Sequence, residues 1–228
     1  GKPFVLKLYR YGIKPKEDIG HAIRKLRREH VVEVFKSGEA GEAEGRVYEI
    51  QESIENGSLA QWGKKGRLSD KEGQEVLREL SEALAHLHEA NVVHRDIKPS
   101  NILIRTEEPL DLGLIDFGIA SMADLSLHLT NLNRTAAYCA PETIQGVVGK
   151  ESDWWSVGVV MLEMLEGRHP WGGMSEQAIN FQLVSRGMKV PEGVGREWGQ
   201  LLKGLLTRDG ERRWGAGEVS QWLGGSRD

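Results

Sequence analysis

Apolar residues recur along this chain in two patterns, and the first is a set of short runs separated by turn residues. Runs of this length, bounded by polar and glycine-containing stretches, predict buried or half-buried strands. They occupy residues 4–9, 31–35, 47–50, 92–93, 102–104 and 112–115. The first half of the chain is therefore predicted to contain most of its β-structure.

The second pattern is a repeat of three to four residues, which predicts helices. Residues 17–28 carry such a repeat, and a capping box, Ser69-x-x-Glu72, begins another. The apolar face of this second helix comprises Val76, Leu77, Leu80, Leu84 and Leu87. Residues 153–165 are apolar almost all round, which predicts a helix buried on every side. Short helices are predicted for residues 175–185, 195–206 and 216–223.

Composition narrows the class of protein. The 228 residues are 39% hydrophobic and 28% charged, as in ordinary globular domains. A formal charge of -4 predicts no overall attraction to nucleic acid or to an anionic membrane. The sequence shows no membrane-spanning apolar run and no signal peptide. With Cys139 as its single cysteine, it is expected to be a cytoplasmic domain, alone or within a larger protein.

Four polar side chains with complementary chemistry lie between or directly after the apolar runs of residues 92–115. Asp96 could accept a proton from a hydroxyl brought within hydrogen-bond reach. Lys98 would offset charge on a migrating phosphate. Asn101 and Asp116 offer oxygen atoms of the kind that Mg²⁺ binds together with nucleotide phosphates. The set predicts a metal and nucleotide site with a base beside it.

At these residues the chain resembles the eukaryotic-type protein kinase family. Residues 94–96 with Asn101 match the H-R-D-x-x-x-x-N catalytic loop, and residues 116–118 match D-F-G. Further matches follow in the family's order. Residues 140–142 read A-P-E, and residues 153–158 resemble the D-x-W-S-x-G start of a buried helix. The ordered set extends over about residues 5–223.

The resemblance implies an α+β, two-lobed protein kinase fold. It places a small, reduced, β-rich N-lobe with one αC helix at residues 1–55 and a larger, mainly helical C-lobe at residues 56–228. The implied activity is transfer of the γ-phosphoryl group of ATP to serine or threonine hydroxyls of proteins, with Mg²⁺. In this reading Asp96 is the base and Lys98 the cation, while Asn101 and Asp116 hold Mg²⁺. A pseudokinase or signalling scaffold is the alternative, and a small-molecule phosphotransferase of related fold is a third class.

Lys7 corresponds to the lysine that binds the α- and β-phosphates in the family. A solvent-facing lysine on an edge strand is the simpler alternative. Its acidic partner should come from the αC helix at residues 17–28, yet the helical repeat puts Ile19 where that acid belongs. Glu17 or Asp18 would serve if the helix were turned or shifted, and the absence of any partner stays open.

The hinge between the lobes is expected next. Gln51 would be the gatekeeper, and the backbone from Glu52 to Ile54 would face adenine. A plain strand followed by a turn at Asn56-Gly57 is the alternative.

The family's glycine-rich loop has no match before Lys7. Gly38, Gly41 and Gly45 follow the αC stretch instead, where they are expected to form a hairpin loop. Either the strand pair that carries the loop lies outside this chain or is disordered, or the N-lobe is reduced.

Residues 116–142 correspond to the activation segment. In the family, an arginine before the catalytic aspartate often binds a phosphate on this segment, and Arg95 occupies that position. Thr130, or with less support Ser126, is the predicted phosphorylation site, against the alternative of ordinary loop hydroxyls. Thr135 is expected to bond to Asp96 or Lys98, and its presence with Lys98 favours serine or threonine acceptors.

Three residues are assigned structural roles by the resemblance. Asp153 should hold the backbone of the catalytic loop, with a surface N-cap as the alternative. Arg213 should pair with Glu142 of A-P-E.

His86 and His88 are two residues apart and would not share a helix face, so packing is favoured over metal binding. His94 is likewise expected to pack.

Overall fold

Three antiparallel strands form the N-terminal sheet of the computed structural model, which describes residues 3–9, 19–20, 22, 30–40, 46–117, 120–122 and 136–225. The strands are β1 (Phe4–Leu8), β2 (Val34–Ala40) and β3 (Arg46–Glu52), in the order β1-β3-β2. Ile19, Gly20 and Ala22 are helical, in agreement with the predicted αC helix, whose other positions lie outside the described residues. The predicted small sheet is thus confirmed.

Two details of this sheet differ from the sequence prediction. Gly38 lies within β2 opposite Tyr48, so its placement in a hairpin loop was wrong. A Cβ at Gly38 would lie 2.8 Å from the Tyr48 hydroxyl oxygen, so the glycine makes room for a ring. The strand predicted at residues 31–35 begins only at Val34, because the residues before it pair elsewhere: Val32 N–H donates to the Leu114 carbonyl at 3.1 Å. Gly41 and Gly45 lie outside the described residues.

The remaining described chain is mainly helical. Its helices are α1 (Leu59–Gly63), α2 (Asp70–Glu89), α3 (Lys150–Glu166), α4 (Glu176–Ser185), α5 (Arg196–Leu205) and α6 (Ala216–Gly225). Two small antiparallel pairs accompany them, β4 (Val92–Val93) with β7 (Ser121–Met122), and β5 (Ile102–Glu107) with β6 (Leu110–Leu114). The small sheet and the larger helical part confirm the predicted α+β architecture, whereas the lobe boundary at residue 55 stays a prediction.

Helix α2 begins with the predicted capping box. The Glu72 N–H donates to Ser69 Oγ at 3.3 Å, and the Ser69 N–H donates to Glu72 Oε2 at 2.8 Å. Its predicted apolar face is buried throughout, with Val76 and Leu84 fully inaccessible. The helix therefore forms one wall of the core and ends just before β4, where the chain enters the candidate site.

Helix α3 is buried on every side along most of its length, as predicted, although it begins three residues earlier than expected. Trp155 and Met161 have no exposed surface. At Gly158 an added Cβ would lie 2.9 Å from Leu205 Cβ, so this glycine allows α5 to pack closely. The helix ends at Gly167, whose φ of 69° is the left-handed conformation that commonly ends helices. Among the described residues, no helix is both long enough and apolar enough to cross a membrane.

A buried ion pair joins the end of the chain to the A-P-E stretch. Arg213 Nη1 and Nη2 donate to Glu142 Oε1 and Oε2 at 2.7 and 2.9 Å. Its guanidinium also donates to the carbonyls of Thr207, Glu151 and Arg208 at 2.9, 2.8 and 3.3 Å. These five contacts match the five N–H donors of an arginine. The side chain of Arg213 is inaccessible, so its charge depends on these partners.

We predict that Arg213→Ala destabilises the fold by about 3–5 kcal/mol, because Glu142 is left beside a cavity without its cation. Urea unfolding followed by circular dichroism measures the change. Arg212→Ala is the matched control: Arg212 is 83% exposed and reaches Asp209 only at 3.5 Å. It should change the free energy of unfolding by less than about 0.5 kcal/mol. Equal effects of the two substitutions would contradict a role for the buried pair.

Candidate active site

The loop that follows β4 is fixed by one buried carboxylate. Asp153, in the first turns of α3, has no exposed surface. Its Oδ2 accepts from the His94 N–H at 2.9 Å and its Oδ1 from the Arg95 N–H at 2.8 Å. His88 Nε2 of α2 lies 2.9 Å from the same Oδ2. The alternative of a surface N-cap was wrong, because Gly149 is the N-cap and Asp153 points inward.

The charge state of Asp153 follows from these contacts. Burial alone would raise the pKa of Asp153, but the hydrogen bond and the charge of His88, together with the hydrogen bond from the Arg95 N–H, lower it below its ordinary value. Asp153 is therefore an ionised acceptor in the core. An anion there can hold several N–H groups in a fixed direction.

His94 connects this loop to the segment that contains Asp116. Its Nε2 lies 3.1 Å from the Ile115 carbonyl, and its Nδ1 lies 3.3 Å from the Asp96 N–H. Burial lowers the pKa of His94, so the ring is neutral, with the proton on Nε2 and an acceptor at Nδ1. The ring centroid lies 4.6 Å from that of Phe117. His94 thus both packs and orients backbone.

Two residues of these loops have left-handed backbone. Arg95 has φ 70° and Asp116 has φ 67°. This conformation is uncommon for residues other than glycine and persists where surrounding contacts impose it. Both residues adjoin the polar cluster of the site, so the strained backbone lies next to the candidate functional side chains.

The side chain of Asp96 is held by two donors. Lys98 Nζ lies 2.7 Å from Asp96 Oδ2, and Asn101 Nδ2 lies 2.9 Å from the same oxygen. Asn101 Nδ2 also donates to the Asp96 carbonyl at 2.8 Å. Asn101 is buried and the Asp96 side chain is 14% exposed. The structure thus brings together three of the predicted site residues.

Lys7 reaches across the molecule to Asp116. Its Nζ lies 2.9 Å from Asp116 Oδ1, and the two residues are 109 positions apart in the chain. Lys7 thus lies on the edge strand β1 with 30% of its side chain exposed, and it is nevertheless paired with an acid of the D-F-G stretch. The two acids proposed as its partner, Glu17 and Asp18, lie outside the described residues, and the sequence reasoning missed Asp116 as a partner.

A second polar contact lies beside Lys7. Its ammonium nitrogen is 4.9 Å from the centroid of the Tyr9 ring. The Tyr9 hydroxyl donates to Glu49 Oε2 at 2.8 Å, and Gln51 Nε2 donates to the same oxygen at 2.9 Å. Burial, together with this hydrogen bond and the charge of Glu49, raises the pKa of Tyr9 well above its ordinary value. Gln51, the predicted gatekeeper, is thus bonded within the sheet.

The segment predicted as the hinge connects β3 to α1. The Glu52 N–H donates to the Glu33 carbonyl at 2.9 Å. Ile54 follows in irregular backbone and is half-buried. The chain bends at Asn56, and Gly57 has a left-handed φ of 81°. The strand therefore ends at Glu52 and the chain changes direction before α1.

The donor set fits a hard cation that keeps other oxygen ligands. Asn101 directs its amide nitrogen toward Asp96, which leaves the amide oxygen on the opposite side of the group. Asp116 supplies a carboxylate. Within the described residues, no group of three or more His, Cys, Asp and Glu side chains could hold a metal ion. An ion at Asn101 and Asp116 would therefore take phosphate or water oxygens, as Mg²⁺ commonly does.

The two histidines of α2 are separated, as their spacing predicted. His88 contacts Asp153, whereas His86 stacks on His30 with ring centroids 4.9 Å apart. The sequence reasoning missed the link from His88 to Asp153. A signal was present, because His88 follows Leu84 by four residues on the apolar face of α2, where a buried polar ring requires a partner.

Several predicted regulatory positions cannot be placed. Ser126, Thr130 and Thr135 lie outside the described residues, so the expected bond from Thr135 to Asp96 or Lys98 stays a prediction. Tyr138, at the end of that segment, is described. Its hydroxyl donates to Glu163 Oε2 at 2.6 Å, which with burial raises the pKa of Tyr138.

Comparison with known proteins gives a consistent result. The sequence profile of the family described as "Protein kinase domain" matches residues 17–222. The chain is 36% identical over 174 residues to "Serine/threonine-protein kinase AtPK1/AtPK6" of Arabidopsis thaliana, a match that covers 75% of this chain and 37% of the relative.

Proteins of a bacterium and of the mouse are also similar. "Probable serine/threonine-protein kinase PknB" of Bifidobacterium longum (strain NCC 2705) is 31% identical over 210 residues, or 85% of this chain and 30% of the relative. "Ribosomal protein S6 kinase alpha-3" of Mus musculus is 32% identical over 201 residues, or 85% of this chain and 27% of the relative. The chain spans roughly a third of the length of the curated relatives it matches.

Proposed function

Because this chain belongs to the protein kinase domain family, we propose that it transfers the γ-phosphoryl group of ATP to serine or threonine hydroxyls of a protein substrate. The observation that carries the proposal is the cluster of Asp96, Lys98 and Asn101 together with the contact between Lys7 and Asp116, the aspartate of D-F-G. The Ile115 N–H donates to the Asn101 carbonyl at 3.0 Å, which joins the two groups. Phosphoryl transfer depends mostly on positioning and on electrostatic stabilisation, and such a cluster supplies both.

Asp96 acts as the base in this proposal. Its carboxylate would accept the proton of the substrate hydroxyl as the oxygen attacks the γ-phosphorus. Two donors, Lys98 and Asn101, restrain the carboxylate on one oxygen. The Lys98 ammonium also places positive charge where the transferred phosphoryl group would pass, which offsets negative charge on its oxygens.

Five residues would bind the nucleotide and its metal. Lys7 would contact the α- and β-phosphates, and Asn101 with Asp116 would hold Mg²⁺. The ion, when bound, neutralises charge on the phosphates. The Glu52 carbonyl and the Ile54 N–H would face the adenine ring, which is consistent with the use of the Glu52 N–H inside the sheet. The Lys7 contact with Asp116 keeps both charged groups at the same place before nucleotide binds.

A serine or threonine acceptor is supported by the relatives, two of which are named as serine/threonine-protein kinases. The presence of Lys98 and Thr135 also favours a serine or threonine acceptor. Protein substrates and a cytoplasmic location follow from family membership and from the composition, and they remain proposals for this chain.

A pseudokinase or scaffold is the second candidate function. One observation favours it: the edge strand of the small sheet carries exposed apolar side chains, which is typical of a binding surface. In the sheet, β1 is an edge strand, and its Phe4 and Leu6 are each 62% exposed. The retained base and metal ligands favour the enzyme.

We predict that Asp96→Asn lowers turnover of a serine- or threonine-containing peptide by about 10²–10⁴-fold, because the hydroxyl proton loses its acceptor. Nucleotide binding should be unchanged. Asp116→Asn should instead weaken binding of Mg²⁺ with ATP, and Asp209→Asn, an exposed acid far from the site in sequence, is the control. Radioactive phosphate transfer and calorimetry measure the two quantities. A wild-type protein that binds ATP and transfers no phosphate would establish the pseudokinase instead.

Regulation by phosphorylation is a separate part of the proposal. A phosphate on Thr130 would order its segment by pairing with Arg95, whose backbone Asp153 holds in place. We predict that protein incubated with ATP and Mg²⁺ carries phosphate at Thr130. Thr130→Ala should lower activity while the matched Ser126→Ala does not. Fragment mass spectra locate the phosphate, and an unmodified segment in a fully active protein would exclude this switch.

A further inference from the structure

We propose that Arg105 is a positioning residue for nucleotide binding, and that it acts by fixing the segment from residue 52 to residue 56 at which adenine would lie. The inference rests on the proposed binding of ATP. It concerns a side chain on β5 that bonds to Glu52, Val31 and Asp111.

The guanidinium of Arg105 forms a bidentate contact with the carboxylate of Glu52. Nε lies 3.0 Å from Glu52 Oε1, and Nη2 lies 3.3 Å from Oε2, so two nitrogens meet two oxygens. Nη2 also donates to the Val31 carbonyl at 2.8 Å, and Nη1 donates to Asp111 Oδ1 at 3.1 Å. A paired, fork-shaped contact of this kind restricts orientation as well as distance.

The same residue holds the other end of the segment through its backbone. The Arg105 carbonyl accepts from Asn56 Nδ2 at 2.7 Å. Its neighbour, Ile104, donates its N–H to the Gly57 carbonyl at 2.9 Å. Both ends of residues 52–56 are therefore bonded to one residue of the helical part of the molecule. A shift of this strand would move the whole segment.

Local structure directs the Arg105 side chain toward Glu52. The pairing of β5 with β6 is irregular between Ile104 and Thr106, so Arg105 occupies the position of the irregularity. Such positions redirect a side chain relative to a regular strand. Gly113 on β6 leaves the space, because a Cβ there would lie 3.3 Å from Arg105 Cζ. The arrangement thus requires a bulge and a glycine together.

Burial strengthens the contact between the Arg105 guanidinium and the Glu52 carboxylate. The Arg105 side chain is 12% exposed and that of Glu52 is 28% exposed. Glu52 Oε2 additionally accepts from the Glu33 N–H at 3.3 Å, while the Glu52 N–H bonds to the Glu33 carbonyl. The direction of the Glu52 carbonyl is therefore set before a ligand arrives. Preorganisation of this kind improves affinity by lowering the ordering cost of binding.

The test separates adenine recognition from phosphate recognition. Arg105→Lys keeps the charge and loses the paired contact, so binding of adenosine should weaken about tenfold, which corresponds to ~1.4 kcal/mol. Inhibition by magnesium tripolyphosphate, which has no adenine, should be unchanged. With ATP, KM should rise while kcat at saturation stays the same. A simple loss of stability would affect all of these probes alike, and thermal unfolding is recorded for each variant.

Asp111→Asn is the matched control. It removes the other carboxylate on the same guanidinium, but Asp111 lies on the hairpin and not in the 52–56 segment. It should change adenosine affinity by less than about twofold. Glu52→Gln should reproduce the effect of Arg105→Lys, and the double variant should be no weaker than either single variant, because both remove one contact.

The outcomes distinguish this inference from the proposed function. If the wild-type protein binds adenosine and Arg105→Lys binds it equally well, or if Asp111→Asn weakens it as much, the role assigned to Arg105 is wrong and the kinase proposal stands. If the wild-type protein binds neither adenosine nor ATP, the proposed function fails, and the inference fails with it.

Discussion

The carboxylate of Asp153 is the contact on which the geometry of the candidate site depends. It lies inside a helix that is buried on most sides, and it accepts from two successive N–H groups of the loop that contains Asp96. A buried anion must keep its donors, because an unpaired charge in the core would destabilise the fold. The hydrogen bonds of Asp153 therefore fix the loop. The same hydrogen bonds satisfy the charge of Asp153, which allows α3 to be buried. His94 links this loop to the segment that contains Asp116. One of its ring nitrogens accepts from the Asp96 N–H, and the other contacts the Ile115 carbonyl.

The two parts of the molecule contribute different chemistry, and charged contacts join them. The helical part carries the candidate base and metal ligands, while the sheet carries Lys7 and leads into the segment proposed to face adenine. Lys7 with Asp116 joins them on the side proposed to bind phosphate, and Glu52 with Arg105 joins them on the side proposed to bind adenine. A nucleotide placed between these contacts would touch groups whose positions are already coupled. The helical part supplies most of the candidate site, and these contacts explain how the small sheet can contribute to it.

Local pattern was sufficient for much of this fold. Helices α2 and α3 were predicted because their apolar positions repeat with the helical period, and the capping box at Ser69 marked one boundary. The pairing of Glu142 with Arg213 was predicted from motif order alone. Contacts between distant residues were harder. Lys7 and Asp116 are 109 positions apart, and nothing local identifies either as the other's partner. Gly38 was misplaced because a glycine that accommodates a neighbouring ring resembles a turn glycine in sequence.

Turnover by Asp153→Asn tests the central claim most directly. An amide of the same size can accept only through its oxygen, and its NH₂ group would oppose one of the loop N–H donors. If Asp153 aligns the loop, the folded variant should bind adenosine as the wild-type protein does and lose at least ~100-fold in kcat, since small misplacements of reacting groups cost that much. A folded Asp153→Asn protein with wild-type kcat would contradict the account.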